Sequence, residues 1–383
     1  MFKVVFMILP FLLVLIVMLG FVVPRLKGRV RAQAIWAMVL VACAAKFAVF
    51  GAIGGDPFAP ELPEKLIWSW NWAYSGMCIF AGLVVAEILV WNAVRGILRL
   101  FRAGGRGLRR DSAVLLFVFP AVAWSMSAVG VWNGIKVPDP REVEVKFAGL
   151  PAELDGYRIL HLTDTHVSSA ARRWRTEEIV RKANAAGADL VVVTGDIVDG
   201  KPALHWGDVE PLSRLSAKDG VLYCTGNHEF YSDWTGWKFL YDRAGMKFLM
   251  NEWTSPRPGL VVAGVTDPVG GGLTGLPDAA RAFAGSPEGA FRVLLRHRPK
   301  VRADIEPEAG GARADLQLSG HTHGGVMPVL SSLVAAMNGG FVRGLYRKED
   351  GRAVFVSSGT GQWAGFPIRF FDDPEMPVII LRR

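Results

Sequence analysis

Four apolar stretches fill most of the first 134 residues of this 383-residue chain: 4–23, 32–54, 67–94 and 112–134. Each reaches the roughly 20 residues that a helix needs to cross a hydrocarbon layer about 30 Å thick. Lipid offers no hydrogen bonds to an open backbone, so segments of this kind are confined to helices, whatever the rest of the chain does. The first stretch contains Pro10 and is followed by Arg25, Lys27, Arg29 and Arg31, with no small-x-small cleavage pattern. It also exceeds the apolar length of a cleaved signal, so it is expected to persist as a span.

The connecting loops suggest an orientation. The first carries those four basic residues and no acid, and the third carries Arg95, Arg99, Arg102, Arg106, Arg109 and Arg110. The second carries Asp56, Glu61 and Glu64 against Lys65 alone. Short basic loops stay in the cytoplasm. Four spans then place the N-terminus and everything after residue 134 outside. Trp68, Trp70, Trp72 and Trp132 fit an aromatic belt at the outer interface. Two ionisable residues fall inside spans, Lys46 and Glu87, and each is expected to snorkel to its nearer face.

Charge separates the two parts of the chain. Residues 1–135 hold 13 Lys and Arg against 5 Asp and Glu, and residues 136–383 hold 30 of each. The basic balance therefore belongs to the apolar part, and a basic surface for nucleic acid is not supported. Cys43, Cys78 and Cys224 are dispersed and odd in number, which gives neither a metal knuckle nor a disulfide framework.

Residues 136–141 read as a polar, proline-containing linker between the transmembrane region, 1–135, and a second domain, 142–383. In the second domain short apolar runs alternate with helical patterns. Strands are expected at 142–147, 158–162, 190–194, 221–225, 261–265, 292–295, 316–319, 354–357 and 378–381, with helices at 176–186 and 234–244. The alternation argues for a layered α/β domain. Gly270, Gly271 and Gly272 are expected to form a flexible loop, and His205 to lie at the surface.

Chemistry-bearing residues begin where these strands end. They are Asp164-Thr165-His166, Gly195-Asp196-Ile197-Val198-Asp199, Gly226-Asn227-His228-Glu229, His297 and Gly320-His321-Thr322-His323. Five of the seven histidines fall in this set. The carboxyl ends of strands are where α/β sheets bind ligands, so distant loops can meet at one point. Carboxylate, amide and imidazole donors suit hard or borderline divalent cations. His161 lies within a strand and reads as core or as a residue supporting the ligands from behind.

These motifs resemble the pattern of the calcineurin-like metallophosphoesterase superfamily: D-x-H, G-D-x-x-D, G-N-H-[DE], a lone histidine and G-H-x-H. The resemblance covers roughly residues 157–381 and implies an α/β/β/α sandwich. It also implies two divalent ions, with Mn, Fe and Zn all open. Asp164, His166 and His323 would hold the first ion, Asn227, His297 and His321 the second, and Asp196 would bridge them. His228 would sit over the scissile phosphate as a catalytic group, with Asp199 orienting it. The implied reaction is hydrolysis of a phosphodiester, or else a phosphomonoester, by a hydroxide that bridges the ions.

Ser357 to Gly361 and Pro367 to Phe370 resemble the membrane-associated bacterial branch, which points to a lipid or cell-envelope substrate. Where that branch often has glutamine, this chain has Val326, followed by an apolar run to Val342. That run would either pack as core or face lipid. Arg172, Arg173, Trp174 and Arg175 would suit anionic headgroups or simply open a solvated helix. A catalytically silent membrane scaffold or sensor is the alternative, although no ligand position is lost. Four spans without a polar network do not favour a transporter.

Overall fold

The computed structural model describes residues 2–100, 114–300, 314–365 and 368–383. Arg102, Arg106, Arg109 and Arg110 of the third loop, the start of the expected fourth span, and Pro367 lie outside the described residues. The chain divides into two compact units, Met1–Trp132 and Asn133–Arg383.

Among the described residues three helices are long and apolar enough to cross a membrane, over Met7–Arg25, Glu64–Leu100 and Leu115–Ile135. The first passes through a π-helical turn at Met18–Val22. The expected second span is a bent pair, Val30–Ala44 and Lys46–Gly54, whose axes meet at 54°. The pair is either one broken span or a re-entrant loop. Glu64–Leu100 runs 37 residues, about 55 Å at 1.5 Å per residue, and so outlasts the hydrocarbon layer.

Both ionisable residues of these apolar helices have partners within the unit. Glu87 pairs with Arg25, 62 residues away in sequence. Lys46 is fully buried at the bend, with its ammonium 4.5 Å from the Phe47 ring centre and 5.3 Å from that of Tyr74. Ion pairing and aromatic faces stabilise these charges inside the unit, which replaces the cost of reaching water.

The second unit is a mixed α/β fold built on two six-stranded sheets. One has the order β1 (Pro140–Lys146), β12 (Met376–Arg382), β2 (Arg158–Leu162), β3 (Leu190–Thr194), β4 (Val221–Cys224) and β5 (Lys247–Phe248). The other has the order β10 (Gly344–Arg347), β11 (Ala353–Val356), β9 (Leu316–Ser319), β8 (Phe291–Leu295), β7 (Leu260–Gly264) and β6 (Glu252–Arg257). Strands β2 to β5 run parallel, as do β7, β8, β9 and β11.

The period-2 geometry of a strand explains the layering. In β3, Leu190 and Val192 enter a core shared with Val262, Val293, Leu316 and Phe355 of the other sheet. Val191 and Val193 point the opposite way, onto Ile179, Val180 and Trp237 of flanking helices. In β7, Leu260 and Val262 face the shared core, whereas Val261 and Ala263 meet Ala282 and Phe283. Strands buried on both faces have to be continuously apolar, as these are. Four layers result: helix, sheet, sheet, helix.

The edge strands β5, β6 and β10 carry no alternating apolar signal. The first strand starts at Pro140, inside the stretch read as a linker, because residues 140–146 pair in parallel with 376–382. Gly270 is no flexible loop. It is buried, and a Cβ there would lie 2.3 Å from the Phe230 ring. His205 is buried too, with Nδ1 3.4 Å from Asp208 Oδ2.

Candidate active site

Five strand ends feed the site, three from one sheet and two from the other. Leu162 precedes the Asp164 loop, Thr194 the Asp196 loop, Cys224 the Asn227 turn and Leu295 the His297 segment. The His321 loop follows Ser319 of β9 in the same way. These loops are strained. Asp164, His166, Asp196, His321 and His323 all have φ between +46° and +72°. Left-handed backbone costs a non-glycine residue of order 1–3 kcal/mol and gathers where function over-determines geometry.

The motif glycines allow close approach. A Cβ on Gly226 would lie 2.3 Å from Asp196 Oδ1, and one on Gly320 2.2 Å from Asp164 Oδ2. Any side chain at either position would displace a carboxylate.

The side chains form three overlapping groups whose ligand atoms all lie within 4.8 Å of one another. They are Asp164, His166 and His323; His166, Asp196 and His228; and Asp196, His297 and His321. Asp196 joins them. Its Oδ1 accepts from the His228 backbone N–H at 2.8 Å. Its Oδ2 lies 3.0 Å from His297 Nε2, 3.8 Å from His166 Nε2 and 3.9 Å from His228 Nε2. His166 Nε2 and His323 Nε2 face each other at 3.2 Å, as do His321 Nδ1 and His297 Nε2.

The surroundings orient the imidazoles. His297 Nδ1 lies 2.8 Å from the Thr194 carbonyl, which can only accept, so Nδ1 carries a proton and Nε2 is the nitrogen turned toward the centre. Asp199 bridges two rings, with Oδ2 3.1 Å from His166 Nδ1 and Oδ1 bonded to His228 Nδ1. His166 and His297 are closed to solvent, whereas His228 keeps an exposed edge. That ring sits beside Tyr231 and Trp363, with centroids 4.9 and 5.6 Å away.

This donor set fits cations on two counts. Asn227 Nδ2 donates to Tyr231, while its Oδ1 is buried with no hydrogen-bond partner. Such an orphan acceptor calls for a ligand. The charge balance points the same way. Burial opposes the charged form of His297, yet the Asp196 and Asp164 carboxylates outweigh it and carry that imidazole up to about 10. At His228 burial is again overcome, by Asp196 and Asp199, and the group rises to about 9. Burial and the neighbouring cationic groups hold His321 and His323 well below the usual histidine range, so their nitrogens are free to coordinate. The pocket stabilises positive charge and supplies neutral nitrogen donors beside it.

Two residues here had no role assigned from sequence. Glu229, fully buried, accepts from the backbone N–H groups of Asp196 (3.1 Å), Ile197 (2.5 Å) and Gly226 (2.6 Å), and so clamps two ligand loops together. The [DE] of the motif was its signal. Arg369, also fully buried, donates to the Ser358 and Gly361 carbonyls at 2.7 and 2.6 Å and lies 3.3 Å from His323 Nδ1. It lies in the Pro367 to Phe370 run that carries the resemblance, which gives it no role.

Glu229→Ala strands three buried donors at about 1–3 kcal/mol each, partly offset because a buried charge is also removed. The expected loss is about 3 kcal/mol, seen as a fall of roughly 6–12 °C in Tm. An unchanged Tm contradicts the clamp.

The profile of the calcineurin-like phosphoesterase family matches residues 157–325. A transmembrane protein with metallophosphoesterase domain from Danio rerio is 30% identical over 283 residues, 70% of this chain and 62% of its own length. A protein of the same description from Bos taurus is 29% identical over 326 residues, 80% of this chain and 70% of its own. An uncharacterized metallophosphoesterase of Campylobacter jejuni is 29% identical over 307 residues, 77% of each chain. The matched region begins at β2 and ends just past His323, so it encloses Asp164, His166, Asp196, Asn227, His228, His297, His321 and His323. The chain carries a calcineurin-like metallophosphoesterase domain, preceded by apolar helices able to span a membrane.

Proposed function

We propose that the chain is a membrane-anchored, two-metal phosphoesterase whose substrate is a phosphodiester of lipid or cell-envelope origin, with a phosphomonoester as second candidate. The observation that carries the reading is the sharing of Asp196 Oδ2 between two groups of donors, next to an unsatisfied Asn227 Oδ1. Asp164, His166 and His323 would hold one ion, Asn227, His297 and His321 the other, and Asp196 both. Mn, Fe and Zn all suit these donors. Two bound divalent ions supply Lewis acidity toward the phosphate oxygens and lower the pKa of water.

The chain's own residues do the rest. Asp199 holds the proton on His228 Nδ1 and fixes the ring, so Nε2 is the end that meets the substrate. Carrying a proton, that nitrogen stabilises charge on the phosphate or delivers the proton to the leaving oxygen. Tyr231 and Trp363 flank the ring and limit how the leaving group approaches. The apolar helices confine the site near lipid, which raises the effective concentration of a membrane substrate.

The test compares an aryl phosphodiester with an aryl phosphomonoester on the purified full-length protein supplied with Mn. The diester is expected to turn over at least about tenfold faster in kcat/KM. Preference for the monoester overturns the diester reading, and absence of turnover with both favours the silent scaffold.

The proposed orientation puts the second unit outside, with the bent helix pair counted as one span. A reporter enzyme that works only outside the cytoplasm, fused after Arg383, is then expected to be active. A silent fusion there, with an active one in the 95–110 loop, inverts the topology.

A further inference from the structure

Beside the site lies a surface the proposed chemistry does not use. The helix Pro328–Met337 follows directly from the His323 loop. No charged residue occurs from Val326 to Val342. A helix without charge on any side belongs in a core or in lipid. This one has an open face instead: Leu333 and Met337, one turn apart, are 59% and 69% exposed.

A second element continues that surface. Phe371 is 82% exposed and sits at φ +60°, a conformation phenylalanine seldom adopts. Arg343, just past the helix, donates to the Phe371 carbonyl at 3.4 Å and pairs with Asp372, which ties the two elements together. The strained backbone thus holds an aromatic ring out in the open. The two acids beside it are both neutralised, Asp372 by Arg343 and Asp373 by Lys136.

The position of this surface is informative. The chain enters the second unit at its first residues, Asn133 to Lys136. Asn133 Nδ2 donates to the Arg369 carbonyl at 3.4 Å and Lys136 Nζ to Asp373 at 3.0 Å, on either side of Phe371. Arg175 donates to the Gly134 carbonyl at 3.1 Å, and its neighbour Trp174 is 47% exposed. Two outward aromatics therefore lie close in sequence to residues that bond to 133–136, the start of the second unit. The other basic residues near Trp174 are paired: Arg172 with Asp208, and Arg173 with Glu177 and Glu210. Free cationic attraction to headgroups is not what this region offers. It offers aromatic and aliphatic area ringed by neutralised charge, the composition of a bilayer interface.

We propose that Phe371, Trp174 and the outer face of Pro328–Met337 form a docking surface for the lipid bilayer, which they enter at headgroup depth. The same surface reaches the site directly. The Phe370 N–H donates to the Val326 carbonyl at 3.2 Å, and the Asp372 carboxylate packs so closely on Gly324 that a Cβ there would lie 2.2 Å away. Docking therefore places the mouth of the site at the lipid surface.

The test uses the full chain in vesicles of phosphatidylcholine and phosphatidylglycerol. Spin labels are placed through Met337→Cys, Phe371→Cys and, as control, Lys218→Cys. Lys218 precedes β4, at the end of the sheet opposite the site. The unsubstituted chain, labelled in the same way, supplies the background from Cys43, Cys78 and Cys224. The ratio of oxygen to nickel-chelate collision rates is expected to be several-fold higher at 337 and 371 than at 218. A ratio at both sites equal to that at 218 overturns the proposal. So does low access to both reagents with dipolar broadening between labels, which identifies a second copy of the chain as the occupant. No activity is read, so this result stands apart from that of the hydrolysis assays.

Discussion

Asp196→Ala is expected to remove both catalysis and most of the bound metal. Asp196 Oδ2 faces His166 on one side and His297 on the other, and among the described residues no second carboxylate joins the two groups. Its loss leaves two weaker half-sites. It also removes the acceptor of the His228 backbone N–H, which loosens the turn that carries Asn227. Hydrolysis of an aryl phosphodiester is expected to fall at least about a thousandfold, or about 4 kcal/mol of transition-state stabilisation. Metal content, measured by mass spectrometry on the same preparation, should fall with it. Full activity with full metal content contradicts a shared carboxylate.

His228→Ala is expected to separate the two effects. His228 keeps a solvent-facing edge, is oriented by Asp199, and holds no ion in the proposed arrangement. Metal content should therefore persist while kcat falls by about 10²–10⁴, the range for loss of a positioned acid. The loss should be smaller for a substrate whose leaving group is already acidic, because that group needs no proton. Comparing nitrophenyl with alkyl esters reads this directly. A loss of metal equal to that in Asp196→Ala makes His228 a ligand instead of the acid.

The gathering of these donors at one candidate site was legible in the sequence because chemistry and topology coincide. Parallel strands such as Leu190–Thr194 read as apolar runs, and each ends where a ligand loop must begin. The donor types then name the chemistry. What could not be read depends on packing between distant segments. His205 sits in a polar stretch, yet it is buried against its own helix and Asp208. Lys46 lies in a span, but only the fold supplies Phe47 and Tyr74 around it. Arg25 and Glu87 are 62 positions apart and meet only when helices pack. The cluster Arg172, Arg173 and Arg175 leaves a headgroup site and a solvated helix start both open in the sequence, and only the fold supplies Asp208, Glu210 and the Gly134 carbonyl as partners.

Edge strands failed for a related reason. Glu252–Arg257 and Gly344–Arg347 face solvent on one side and carry polar residues that keep an open edge from pairing with another chain. No local pattern marks them as strands; pairing does. The apolar run after His323 left two readings open, core or lipid. Leu333 and Met337 are exposed, so that face of the helix is not core.

The central claim is that two cations share one carboxylate. Anomalous scattering from crystals of the metal-loaded protein tests it most directly. Two peaks are expected about 3.5–4 Å apart, one near Asp164, His166 and His323, the other near Asn227, His297 and His321, with Asp196 between them. A single peak, or none after soaking in Mn, contradicts the account.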